Sequence, residues 1–187
     1  MARNYVAIHY IHDKLKGFDS KFIDCVTRCF NFTDHFQLPD GCLSNSVALY
    51  ICAKKFGYNP TLCYGLCRLE EKEFYHVWLD IEDTIIDIGI YGNVNFNPLL
   101  SNCHKLDTPY IGSYENRNIY YGKFEFNENW RYSQIYQAEG KTFEEYMDGL
   151  PHNTMWKIVC DFLDKAPTRK LINNLRNYVK NERIERK

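Results

Sequence analysis

Residues 60–93 read PTLCYGLCRLEEKEFYHVWLDIEDTIIDIGIYGN, and the fold turns on how this stretch is parsed. It divides into three runs, PTLCYGLCRLEE, KEFYHVWLDIED and TIIDIGIYGN, each rich in β-branched and aromatic residues and parted by charged pairs. Short apolar runs punctuated in this way predict an antiparallel meander of about three strands. Upstream the texture is helical. In FDSKFIDCVTRCF (18–30), Phe22, Cys25, Val26 and Cys29 recur at helical spacing, with Asp19 or Ser20 placed to cap. Residues 31–41 read as a loop ending in the Pro39-Asp40-Gly41 turn, and 43–56 read as a mostly buried helix stopped by Gly57. Downstream, NIYYGKFEFNENW and RYSQIYQAE predict a further strand or hairpin. KTFEEYMDGL, HNTMWKIVCDFLDKA and a basic segment from near Pro167 then predict helices. Helices, then antiparallel strands, then helices define an α+β chain. Its length predicts one domain over 1–187, with a core over 18–136 and a helical part over 141–187.

Composition narrows the function classes. The chain is 45% hydrophobic with 15 Tyr and 12 Phe, which is a folding composition rather than a disordered one. A formal charge of −1 gives no overall field for a polyanion. The basic tail RKLINNLRNYVKNERIERK places Leu171, Leu175, Tyr178 and Val179 on one helical face. It reads as an amphipathic helix docked on the domain or on a partner, not as a nucleic-acid site. No apolar run approaches the roughly 18 residues of a membrane span, and MARNYVAIHYIHDK does not read as a signal peptide. The eight cysteines (25, 29, 42, 52, 63, 67, 103 and 160) are scattered through apolar segments, so reduced thiols and a cytoplasmic location are expected. Cys25-x3-Cys29 and Cys63-x3-Cys67 suit zinc poorly, since strand residues four apart lie about 13 Å from each other. No metal and no cofactor are expected.

Three residues carry the chemistry. Cys42 follows Pro39-Asp40-Gly41 and opens a helix, His76 lies in the second strand, and Asp87 lies in the third. A helix N-terminus and an adjacent imidazolium both favour thiolate, the nucleophilic form of cysteine. A histidine then serves as general base and proton carrier, and a carboxylate on its other nitrogen fixes its orientation. Neighbouring antiparallel strands can hold His76 and Asp87 on one face. Gln37, five residues before Cys42, is placed to help the Cys42 backbone N–H hold an oxyanion. Trp78 and Tyr91 are candidate walls of a substrate cleft.

The motifs His76-Val77-Trp78-Leu79 and Asp87-Ile88-Gly89, in this order after the helix-opening Cys42, resemble the transglutaminase-like branch of the papain-like cysteine enzymes. They are similar to the bacterial proteins that trim leader peptides in lasso-peptide maturation and, more distantly, to arylamine N-acetyltransferases. The resemblance covers about residues 37–92. It implies a papain-like α+β fold and a Cys42–His76–Asp87 triad. It also implies acyl transfer from a peptide or protein amide, as a peptidase, amidase or transglutaminase. The His-to-Asp spacing of 11 requires a tight hairpin. Pro39-Asp40-Gly41-Cys42 lacks the acetyltransferase signature, which favours amide over acetyl-coenzyme chemistry. The alternative is an inactive member of the fold that binds a peptide or protein.

Overall fold

The structure is a computed structural model that describes residues 2–115 and 118–185. Helices α1 (Ala2–Lys14), α2 (Ser20–Phe36) and α3 (Cys42–Lys55) come first, followed by strands β1 (Thr61–Leu69), β2 (Lys72–Ile81) and β3 (Thr84–Asp87). Helix α4 (Gly89–Phe96), strands β4 (Tyr110–Gly112) and β5 (Ile119–Lys123), and helices α5 (Gln134–Ala138), α6 (Phe143–Asp148), α7 (Thr154–Phe162) and α8 (Arg169–Tyr178) complete the chain. The five strands form one antiparallel sheet in the order β4-β3-β2-β1-β5. The molecule is α+β, with a curled sheet packed on helices.

Two tight turns build the meander. Leu69 pairs with Lys72 across Glu70-Glu71, and Ile81 pairs with Thr84 across Glu82-Asp83. Glu82 and Asp83 both have positive φ (52° and 62°), as the favoured two-residue hairpin turn requires. Helix α3 is apolar nearly all round, the pattern of a buried helix. Leu43, Val47, Leu49, Ile51 and Ala53 are all in the core. β2 packs along it on one side, and α2, α7 and α8 on others. Two buried polar contacts fix its position. Ser46 Oγ donates to the Val77 carbonyl (3.2 Å), and Asn45 Nδ2 donates to Thr33 Oγ1 on α2 (2.9 Å).

Five features depart from the sequence reading, the first being helix α1, whose Ala7 and Ile11 are buried in the core ahead of the expected start at residue 18. Helix α2 runs through the expected loop to Phe36, because Phe30 and Thr33 are buried and Thr33 Oγ1 satisfies the Cys29 carbonyl. The end of the third run is helix α4, not strand. Tight packing of Gly89 and Gly92 against residues 38–42 overrides the β-type side chains of that run. The RYSQIYQAE segment holds α5, capped by Ser133 and anchored by buried Ile135 and Ala138. Strand β4 was not foreseen. Helices α6 and α8 start at Thr142 and Thr168; the first has a full capping box with Glu145. The segment after α8 returns to α3, where Glu182 accepts hydrogen bonds from Tyr50 (2.5 Å) and Lys54 (2.8 Å). No helix among the described residues is long and apolar enough to cross a membrane.

Candidate active site

The meander register sets the histidine and carboxylate. β3 pairs with β2 only at Leu79, Asp80 and Ile81, so Asp87 stands just past the last pair, on the same face as His76 and diagonal to it. His76 Nε2 lies 2.9 and 2.8 Å from the two Asp87 oxygens, and both side chains are fully buried. Two further donors hold the carboxylate: the Ile90 backbone N–H (2.9 Å) and the Tyr121 hydroxyl (2.7 Å). The Ile90 bond comes from the first turn of α4, where unpaired N–H groups and the helix dipole favour an anion. Tyr121 reaches it from β5, at the position paired with Cys67.

Because Nε2 is taken by Asp87, Nδ1 is the nitrogen left for chemistry. Burial opposes a charge on His76. The Asp87 carboxylate, its hydrogen bond and the nearby Cys42 thiol outweigh that penalty, and the imidazolium is stabilised up to a pKa of about 10. Asn93 on α4 places Nδ2 3.2 Å from Nδ1, while its buried Oδ1 has no partner among the described residues. Nδ2 can donate only to an unprotonated Nδ1. Against the imidazolium the amide must present its oxygen instead, which a half-turn of the Asn93 side-chain amide provides.

Cys42 is the first residue of α3, and no side chain caps that helix, so the N–H groups of its first turn have no intrahelical acceptors. Gly89 shows how close the nucleophile helix comes to the histidine. A Cβ built there would lie 2.6 Å from Cys42 Cα, 2.8 Å from Cys42 Cβ and 3.3 Å from His76 Cε1. Only glycine permits that approach. Gly89→Ala must push α3 and α4 apart by about an ångström, and a displacement of that size costs on the order of 100-fold in rate. Acyl-enzyme formation measured in a variant that keeps the wild-type circular dichroism spectrum checks this.

Cys42 opens onto a cleft of about 520 Å³, bordered by Lys72, Glu73 and Tyr75 of β2, Asn93, and Leu99 and Ile135 on facing segments. Of the residues expected at the site, Cys42 lines this cleft, while His76 and Asp87 are paired and fully buried next to Gly89, which packs on Cys42. The other three lie elsewhere. Gln37 is exposed and ends α2 in the left-handed conformation (φ 49°, ψ 50°), and it does not line the cleft. Trp78 is fully buried beneath the sheet, its Nε1 donating to Tyr114 Oη (3.1 Å), so it walls nothing. Tyr91 donates to Asp34 (2.7 Å) and borders a separate cavity of about 680 Å³ between α1 and α4. Asn93 and Tyr121 had no signal of their own in the sequence. Among the described residues, no cluster of His, Cys, Asp and Glu could hold a metal ion, and all eight cysteines are free and buried.

The thiol thus opens a helix, and the imidazole and carboxylate are paired on adjoining strands. Residues 19–101 match the family model described as the transglutaminase-like superfamily. Comparison with curated proteins and with solved structures returned no match.

Proposed function

We propose that this protein is a cysteine-dependent acyl-transfer enzyme acting on a peptide or protein amide. The superfamily matched over residues 19–101 usually comprises cysteine hydrolases or acyltransferases. The observation that carries the reading is the fully buried His76–Asp87 pair, which lies with Cys42, at a helix start, against the same glycine, Gly89. Buried charges are costly unless paired and hydrogen-bonded, as these are, and groups so perturbed cluster at reactive sites.

The steps follow from the geometry. The Cys42 thiolate attacks the amide carbonyl carbon, and the resulting oxyanion lies near the uncapped N–H groups of α3. As the C–N bond breaks, His76 Nδ1–H protonates the leaving amine, and a thioester remains on Cys42. Water or a second amine then attacks the thioester while Nδ1 takes its proton, and Cys42 leaves as thiolate. Asp87 holds the ring through Nε2 in both halves of the cycle.

Because the catalytic form carries the Nδ1 proton, kcat/KM is expected to fall on the alkaline side near pH 10. The sign for stability is the same. His76 is protonated more readily in the fold than in the unfolded chain. Its contribution is therefore complete below the ordinary histidine range of about 6.5 and is gone once pH has risen through about 10. Stopped-flow acylation by a p-nitrophenyl ester between pH 5 and 11, with intact-mass detection of the adduct, tests the reading. No adduct on Cys42, or an alkaline limb at the ordinary histidine value, would refute it.

A further inference from the structure

The edge of β2 beside Cys42 is only partly covered. Both two-residue turns close on hydrogen-bonded pairs, Leu69 with Lys72 and Ile81 with Thr84. In an antiparallel ladder the bonding direction alternates by residue. Lys72, Phe74, His76, Trp78 and Asp80 therefore direct their backbone groups to β1, while Glu73, Tyr75, Val77, Leu79 and Ile81 direct theirs to the other side. That side is occupied in three ways along its length. β3 covers Leu79 and Ile81, and Ser46 at the start of α3 donates to the Val77 carbonyl. At Glu73 and Tyr75, no backbone or side-chain partner for these main-chain groups occurs among the described residues. The two residues border the Cys42 cleft.

We infer that the open edge of β2 at Glu73 and Tyr75 binds the extended main chain of a polypeptide substrate by strand addition, delivering its scissile carbonyl to Cys42. The inference rests on the acyl-transfer reading and specifies its substrate class: a segment with a free, extended backbone, rather than a side-chain amide on a folded surface. The occupant is argued from complementarity. A row of unpaired N–H and C=O groups is the template that an added strand satisfies, with main-chain hydrogen bonds giving affinity. Its direction also fits. Along this edge β3, then the start of α3 with Cys42, then the open positions follow one another, so an added strand runs from the thiol along Tyr75 and Glu73. The opposing wall is set back by a cleft, which leaves room for one chain.

The test uses the intact protein with reduced, carboxymethylated β-casein in the presence of glycinamide, so that either water or an amine releases the acyl group. Mass spectrometry locates the modified bonds, and a synthetic peptide spanning one of them is N-methylated one residue at a time. Strand addition predicts that N-methylation lowers kcat/KM about tenfold at alternate residues on one side of the scissile bond, with little change between them. A profile without that alternation overturns the inference. So does a dimer, seen by sedimentation, that competes with the peptide, because a second copy would then own the edge. If a p-nitrophenyl ester acylates Cys42 but casein is untouched, the substrate class alone is wrong. If the ester also fails, the acyl-transfer reading falls with it.

Discussion

Asp87→Asn is expected to lower acyl transfer by about 10³- to 10⁴-fold while leaving the protein folded. The carboxylate has a donor at each oxygen besides the histidine: Ile90 N–H on Oδ1 and Tyr121 O–H on Oδ2. A backbone N–H cannot turn away, so the asparagine oxygen must face Ile90 and its NH2 must take the Oδ2 position. There it meets Tyr121, whose hydroxyl can rotate to accept, and it also meets His76 Nε2. An NH2 group donates, so the ring is driven to the tautomer with its proton on Nδ1 and no charge. The geometry survives, but the imidazolium loses its counter-charge. The alkaline limb near pH 10 then moves down, because the carboxylate is the main reason it lies so high. Single-turnover acylation as a function of pH, beside a urea melt, separates this outcome from simple unfolding. Removing the side chain altogether with Asp87→Ala would leave His76 buried beside an empty space. That would add a stability loss of about 3–5 kcal/mol, as expected for a broken buried pair.

Cys42→Ser should abolish acyl-enzyme formation outright. A hydroxyl of similar size keeps α3 in place, since the helix is held by Ser46, Asn45 and its apolar faces rather than by residue 42. Its oxygen, however, holds its proton far more tightly than sulfur does, so a base poised for a thiol does not activate it. Mass spectrometry should find no adduct with any ester that labels the wild type, with an unchanged thermal midpoint. Binding of a non-cleaved peptide should persist in this variant. An inactive, peptide-binding member of the fold would instead show that same binding and the same lack of adduct in the wild type.

Much of this site was legible in the sequence because the signals were local. A cysteine after Pro39-Asp40-Gly41, and a histidine and aspartate in adjoining β-type runs, each sit where an element begins or alternates. The hairpins supply the rest, since a turn of fixed length fixes the register. Even so, Asp87 meets His76 diagonally and beyond the end of the β3 pairing, which a spacing of 11 does not specify. What escaped the reading is non-local. Tyr121 reaches Asp87 only because β5 pairs with the far side of β1. Asn93 reaches His76 only because the chain turns into α4, and that turn depends on glycines meeting backbone from a distant segment. Gln37 lies away from the site for the same reason. Five residues from the nucleophile in sequence, it ends a helix longer than its polar residues suggested, and its side chain lies in solvent. Trp78 shares the face of His76, but that face is covered by a second apolar cluster with Tyr121 and Ile85 rather than by the cleft.

The reading depends most on Cys42 being the nucleophile and His76 its proton partner. The most direct measurement is the rate of iodoacetamide labelling at pH 6, resolved over all eight cysteines by peptide mapping, in the wild type and in His76→Gln. Burial pushes the Cys29, Cys52 and Cys67 thiols well up, so they stay protonated and slow. The account predicts that Cys42 is labelled at least about tenfold faster than any other thiol and that His76→Gln removes most of that advantage. Labelling of Cys42 no faster than its buried neighbours, or a rate indifferent to His76, would contradict it.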